Sequence, residues 1–454
     1  MKILLRGGRV IDPAAKRDET ADVLIDGGKI AAIERKIRDG GAAEGAATFN
    51  AEGLVVAPGL VDMHVHFREP GQEYKEDIAS GSRAAAAGGV TSVACMPNTD
   101  PPLDNDALIA QVVKRGLEVG LCRVHPIAAI TRGIEGREIT EMMLMRQAGA
   151  VGFSDDGRPV ADARVMRRAL EYARLTDAPV ISHCEETALS EGGHMHEGAV
   201  STRLGIRGIP GASEDLGVAR DVRLAEIAGG RLHVCHVSTA RSVQIIREAK
   251  ERGVRVTAEA TPHHFTLTDE VCEGFDSNTK MNPPLRSEEH RAAVIQGLID
   301  GTLDAIATDH APHAEREKLV EFDRAPFGII GLETSLALAI TSLVGPGHLE
   351  LGAVLRLMST APAAILGLDA GTLQKGAQAD IVVFDPNMTW TFEREDIRSK
   401  SQNTPFLGYS LTGRVLLTIR DGRIVHERKE GRARMGGGRR SKVEEGEPLG
   451  SARS

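Results

Sequence analysis

Two histidines separated by one residue, His64 and His66, close the apolar run that begins at Val55. On an extended strand alternate residues share a face, so both imidazoles point to one side. Two neutral imidazoles aimed at one point make half of a transition-metal site. Other candidate ligands end other apolar segments. Asp155 and Asp156 stand in Gly-Phe-Ser-Asp-Asp-Gly, His183 in Ile-Ser-His-Cys-Glu-Glu, His236 in Val-Cys-His-Val-Ser-Thr, and Asp309 in Ala-Thr-Asp-His-Ala-Pro-His. Nitrogen and oxygen donors of this kind suit zinc better than manganese or iron. They are too many for one tetrahedral ion, whereas two ions sharing a carboxylate account for the excess.

Residues so far apart in sequence meet only if the fold gathers strand ends. Eight strand-like segments can be read: Leu54–Phe67, Val90–Asn98, Arg123–Ile130, Gly149–Asp156, Val180–Glu185, Leu232–Ser238, Arg255–His264 and Asp304–His310. Between them, segments such as Asp77–Ala87, Arg137–Ala148, Asp162–Asp177, Asp215–Ala228, Ser242–Arg252 and Glu288–Asp300 carry apolar residues at helical spacing. The alternation predicts an α/β chain with a (β/α)8 TIM-type barrel over 54–367, whose strands converge at one mouth. No Gly-rich dinucleotide loop supports the alternative, an open doubly wound sheet. The two ends, 1–53 and 368–427, read as short alternating strands with tight turns at Asp26-Gly27-Gly28 and Asp421-Gly422. They are expected to combine into one small flanking β-domain. The stretch 428–454, rich in Gly, Arg, Glu and Ser, is expected to be disordered.

A net charge of −9 and only 3% aromatic residues argue against nucleic acid as a partner. No segment is long and apolar enough for a membrane span, and no signal-peptide pattern opens the sequence. Cys95, Cys122, Cys184, Cys235 and Cys272 are odd in number and never in CxxC spacing, which fits a reducing, cytoplasmic location. Cys184 and Cys235, each beside a candidate ligand histidine, are read as packing on the opposite strand face.

The pattern of His-x-His on strand 1, His on strands 5 and 6, and Asp on strand 8 resembles the amidohydrolase superfamily. Within it the chain is similar to class I bacterial-type dihydroorotases. The matching phrases are His-Val-His-Phe-Arg-Glu-Pro-Gly (64–71), Met-Pro-Asn-Thr (96–99), Gly-Phe-Ser-Asp-Asp-Gly (152–157), Met-Asn-Pro-Pro-Leu-Arg (281–286) and Ala-Thr-Asp-His-Ala-Pro-His (307–313). The resemblance implies reversible cyclisation of N-carbamoyl-L-aspartate to L-dihydroorotate in pyrimidine biosynthesis. It implies two Zn2+ held by His64, His66, Asp156, His183, His236 and Asp309. Relatives such as hydantoinases carry a carboxylated lysine on strand 4; this segment has none, and likeness to the family selects Asp156 as the bridge and leaves Asp155 to the turn. Metal-activated hydroxide would attack the ring carbonyl, with Asp309 as general acid/base.

The unreactive substrate carboxylate needs a holder. Arg68 follows the His-x-His pair at alternate spacing and can form a bidentate pair. The resemblance implies that Arg68, Asn98 and His313 clasp this carboxylate beside His66. Asn282 is similar to a ring-contacting residue of the family, and Phe327 and Gly328 resemble its backbone contact to the ring amide. His263, His264 and His310 are left unassigned, and His194 and His196 are expected to be exposed. Hydrolysis of another cyclic amide and a silent scaffold are the competing readings. Homo-oligomerisation and association with aspartate transcarbamoylase are the partner readings left open.

Overall fold

The computed structural model describes residues 2–436. Eight parallel strands pair in chain order: Leu60–Val65, Val90–Cys95, Arg123–Ala128, Gly152–Phe153, Val180–Ser182, Leu232–Val234, Val256–Ala260 and Ala305–Ile306. The ring closes through His310. Its carbonyl accepts the His66 N–H at 2.8 Å, and the two ends meet at a Val65–His310 bridge. The His310 ring is committed elsewhere, with Nδ1 accepting from the Gly331 N–H at 3.1 Å and Nε2 facing Glu76 at 3.5 Å. Helices such as Ile78–Ala87, Ala163–Ala173, Gly211–Ala228 and Ala240–Glu251 fill the intervals between strands.

The strands are buried on both faces, as a helix-wrapped parallel sheet requires. Inside the barrel, Met63, Met96, Ile127, Ile181, Cys235 and Ala307 belong to one apolar cluster, joined by Ile365 and Leu366. The barrel interior is therefore packed below its mouth, where the candidate ligands gather.

A second sheet joins both chain ends. Its spine runs Arg423–Glu427, Ser410–Arg420, Ile381–Thr391, Val55–Pro58, Ile3–Asp12, Arg17–Asp26 and Lys29–Glu34. Both Asp-Gly turns form as expected. Gly27 and Gly28 have φ of 58° and 81°, and Asp421 and Gly422 have 50° and 68°, the left-handed pairs that a two-residue hairpin demands. The turns also touch: a Cβ on Gly422 would lie 2.8 Å from the Gly28 Cα.

Three segments differ from the sequence reading. Leu54–Phe67 is two strands, because Val55–Pro58 pairs with Ile381–Phe384 of the flanking sheet and only Leu60–Val65 enters the barrel. The change of sheet occurs at Gly59, where a Cβ would sit 2.2 Å from Thr91 Oγ1. The seventh strand ends at Ala260, and Pro262 opens a short helix, Pro262–Thr266, that carries His263 and His264. Finally, Lys429–Arg432 forms a helical turn and Met435–Gly436 pairs with Phe49 and Thr48, where disorder was expected from 428; residues 437–454 lie outside the described residues.

The half-buried His125, on the third barrel strand, gives the fold an acid-sensitive element. Burial, then the nearby Arg123 and Arg420 charges, push its pKa down to about 4. The unfolded chain therefore binds this proton first, so stability is lost as pH falls from about 6.5 through 4. The loss attributable to this residue is on the order of 3 kcal/mol. His125→Gln is expected to flatten the decline of unfolding free energy between pH 6.5 and pH 4. Denaturant titrations across that range would show an unchanged slope if His125 were not responsible.

Candidate metal centre

The converging strand ends bring the candidate ligands together. His64 lies on the first strand and His66 just beyond it; Asp156, His183, His236 and Asp309 follow the fourth, fifth, sixth and eighth strands. All six are buried. His64 Nε2 lies 3.5 Å from Asp156 Oδ1 and 3.5 Å from Asp309 Oδ1. His66 Nε2 is 3.6 Å from Asp156 Oδ2 and 3.1 Å from Asp309 Oδ1. On the other side His183 Nδ1 and His236 Nε2 are 3.0 Å apart.

These donors fall into overlapping groups. His64, His66 and Asp156 form one set and Asp156, His183 and His236 another, with the ligand atoms of each within 4.8 Å of one another. Asp156 belongs to both. His64 Nε2, Asp156 Oδ1 and His236 Nδ1 are buried without a hydrogen-bond partner among the described residues. Buried polar atoms are rarely left so, and a cation beside His64 Nε2 and Asp156 Oδ1 would satisfy those two. Burial alone would raise the Asp156 carboxyl, but His64, His66 and His183 outweigh it and hold it below the usual carboxylate range. Burial and the neighbouring His183 and His64 push His236 well below an ordinary histidine, leaving a neutral ring able to ligate. The residues fit a metal centre, with Asp156 in reach of both donor sets.

The backbone shows how the side chains are aimed. Arg68, His236 and Asp309 have φ of 60°, 31° and 48°, left-handed values that ordinary residues avoid. Such strain costs roughly 1–3 kcal/mol per residue and gathers at working sites. At His236 it also breaks strand alternation. Cys235 therefore does not pack away from the site; it lies in the barrel interior, in a further group with His64 and His236. Burial drives its thiol pKa far up. Cys184 does turn away, toward Ser182 and Asp221.

The remaining candidates occupy the rim. Arg68 donates through Nε to the Pro312 carbonyl at 3.2 Å, and neither terminal nitrogen has a hydrogen-bond partner among the described residues. Asn98 serves the ligands: Oδ1 pairs with His66 Nδ1 at 2.8 Å and Nδ2 donates to Asp156 Oδ2 at 3.2 Å. It also lines an open cavity of about 380 Å³ with Asp156, Gly157 and Arg158. Asn282 Nδ2 lies 3.3 Å from His183 Nε2. His313 Nε2 donates to the Phe327 carbonyl at 2.8 Å, and the Gly328 N–H donates to the Lys280 carbonyl at 3.0 Å. Both backbone groups thus have internal partners. His263 and His264 stay outside the ligand groups; His264 binds Thr261 and the Pro283 carbonyl. His196 is buried against Arg286, not exposed, because its strand pairs with Gly208–Ile209. Sequence reasoning does not single out Glu259, whose carboxylate meets His64 Nδ1 at 2.7 Å. The available signal was an acidic residue inside an otherwise small and apolar strand end, Ala258-Glu259-Ala260.

The architecture matches solved structures along nearly its whole length. An L-hydantoinase (dihydropyrimidinase) from Arthrobacter aurescens superposes with a TM-score of 0.84 at 26% identity, covering 94% of this chain and 96% of that one. A dihydropyrimidinase from Brevibacillus agri NCHU1002 gives 0.82 at 25% identity, covering 94% and 96%. Residues 289–426 match the amidohydrolase family model. Barrel, flanking sheet and ligand cluster together define a metal-dependent cyclic amidohydrolase. Residues 53–242 match the dihydro-orotase-like model. A dihydroorotase of Syntrophus aciditrophicus (strain SB) is 54% identical over 94% of this chain and 100% of its own length, and one of Pelotomaculum thermopropionicum is 55% identical over 94% and 98%. The chain belongs to the dihydroorotase family.

Proposed function

We propose that this enzyme interconverts N-carbamoyl-L-aspartate and L-dihydroorotate as a class I bacterial-type member of its family, and that His64, His66, Asp156, His183, His236 and Asp309 would hold two zinc ions, with Asp156 common to both. The observation that carries the reading is the membership of Asp156 in both ligand sets. Ions bound there would supply hydroxide-strength water near neutral pH and polarise the carbonyl under attack.

The chain's own groups do the rest. Asp309, at the rim with Oδ1 beside both His64 and His66, takes the proton of the attacking water and returns it to the leaving ring nitrogen. In cyclisation the same carboxylate removes a proton from the attacking ureido nitrogen. Arg68, anchored at Nε, offers its two terminal nitrogens to the substrate carboxylate. Asn98 fixes the His66 ring, and Asn282 and His313 bound the space above the ligands. The fourth strand end offers an aspartate where a hydantoinase-type site would use lysine, which favours dihydroorotate over hydantoins.

The reading is tested by assaying carbamoyl-aspartate cyclisation and zinc content on one sample, with dihydrouracil as competitor substrate. Dihydrouracil lacks the carboxylate and is expected to turn over poorly; equal turnover of the two would refute the assignment. Arg68→Met is expected to lower kcat/KM for dihydroorotate about 10- to 100-fold, the worth of a charged hydrogen-bond pair. Its zinc content should be unchanged.

We further propose a cytoplasmic location, consistent with five free, buried cysteines. No described helix is long and apolar enough to cross a membrane. Self-association and association with aspartate transcarbamoylase are to be tested by sedimentation with and without that enzyme.

A further inference from the structure

The apolar cluster of the barrel interior is interrupted at the sixth and seventh strands. The sixth and seventh strands turn His233, Thr257 and Glu259 inward, at the alternate positions that elsewhere carry the apolar cluster. Glu259 is 1% exposed and His233 0%. A carboxylate so deeply buried is strongly unfavourable unless it is fully paired.

Its partners form one continuous line. Thr257 Oγ1 donates to His233 Nδ1 at 2.9 Å. His233 Nε2 donates to Glu259 Oε2 at 3.1 Å. His64 Nδ1 donates to Glu259 Oε1 at 2.7 Å, and the His236 N–H reaches the same oxygen at 3.4 Å. A carboxylate only accepts, so this pattern assigns the hydrogens: His64 carries its own on Nδ1 and His233 on Nε2. His64 Nε2, the other ring nitrogen, is buried and without a hydrogen-bond partner among the described residues, facing Asp156 and Asp309.

We propose that Glu259, backed by His233, is a positioning residue of the metal centre. It fixes the tautomer and direction of the His64 ring, and so governs affinity for the ion of the His64–His66–Asp156 set. The ion of the His183–His236 set shares only the weaker backbone contact at His236 and is largely independent of it. The inference rests on the two-ion reading above.

The test is zinc affinity by chelator competition on the full-length protein, wild type against Glu259→Leu and Glu259→Gln. Leucine fills the space and removes both acceptors; one of the two ions should then bind about 10- to 100-fold more weakly, the usual effect of losing such a support. The other should change by less than about threefold. Glutamine keeps one acceptor for His64, while His233 can turn its hydrogen to Thr257, so this variant should recover most of the lost affinity. A folded Glu259→Leu protein, judged by circular dichroism of the metal-free form, that binds both ions normally or weakens both equally overturns the proposal. Histidine-ring 15N NMR of zinc-loaded wild type gives a test that no folding defect can obscure. It should find His64 protonated at Nδ1 and His233 at Nε2, and any other tautomer of His64 overturns the proposal. Wild-type protein that binds no zinc would instead sink the two-ion reading itself.

Discussion

Asp309→Asn is expected to cut turnover about 1,000-fold in both directions, within the range typical for losing a general acid–base. The substitution keeps shape and one acceptor oxygen, so the rim geometry around His64 and His66 should persist. What it removes is the ability to take a proton and give it back. The left-handed backbone at Asp309, φ 48°, places this carboxylate over the ligand cluster, with Oδ1 3.1 Å from His66 Nε2. Zinc content should be partly retained, which separates this loss from collapse of the site. Steady-state kcat with elemental analysis on the same preparation decides the matter, and a near-normal rate would remove Asp309 from its role.

Asp156→Ala should act through the metal itself. Asp156 is the shared member of both ligand sets, so alanine is expected to weaken both ions and to abolish turnover by several orders of magnitude. The adjacent aspartate supplies the contrast. Asp155 accepts the Ile130 N–H at 2.8 Å, the Thr131 N–H at 3.0 Å and the Thr131 hydroxyl, all away from the cluster. In Asp155→Asn one oxygen keeps both backbone N–H groups and the amide donates to the Thr131 hydroxyl. Metal content and kcat should survive, with a stability change of about 1 kcal/mol. A reversed pattern, with Asp155 essential to metal and Asp156 dispensable, would mean that the bridge had been misassigned.

Much of this site is visible in the chain itself. His-x-His after an apolar run, and His or Asp at later strand ends, survive as signals because strand alternation and the barrel mouth are local and topological rules. Features that depend on unlike elements meeting are not visible. Val55–Pro58 continues the apolar run of the first strand, and nothing in that run marks the change of sheet except Gly59, whose need appears only when Thr91 packs on it. Asn98 is a substrate contact by family resemblance, and its further bonds to His66 and Asp156, from distant segments, are not visible in the sequence. Glu259 is harder still. An isolated acid in a strand normally reads as solvent-facing, and its burial makes sense only once His64 and His233 are seen to converge on it. Cys235 misleads because His236 leaves regular strand geometry, so the alternation rule fails at the ligand itself.

Titrating zinc into metal-stripped protein while following carbamoyl-aspartate cyclisation tests the two-ion centre. We predict negligible activity without metal and a rise that reaches its plateau at two equivalents, one for each ligand set joined at Asp156. Full activity in the stripped protein, or a plateau at a single equivalent with no second ion bound, would contradict it.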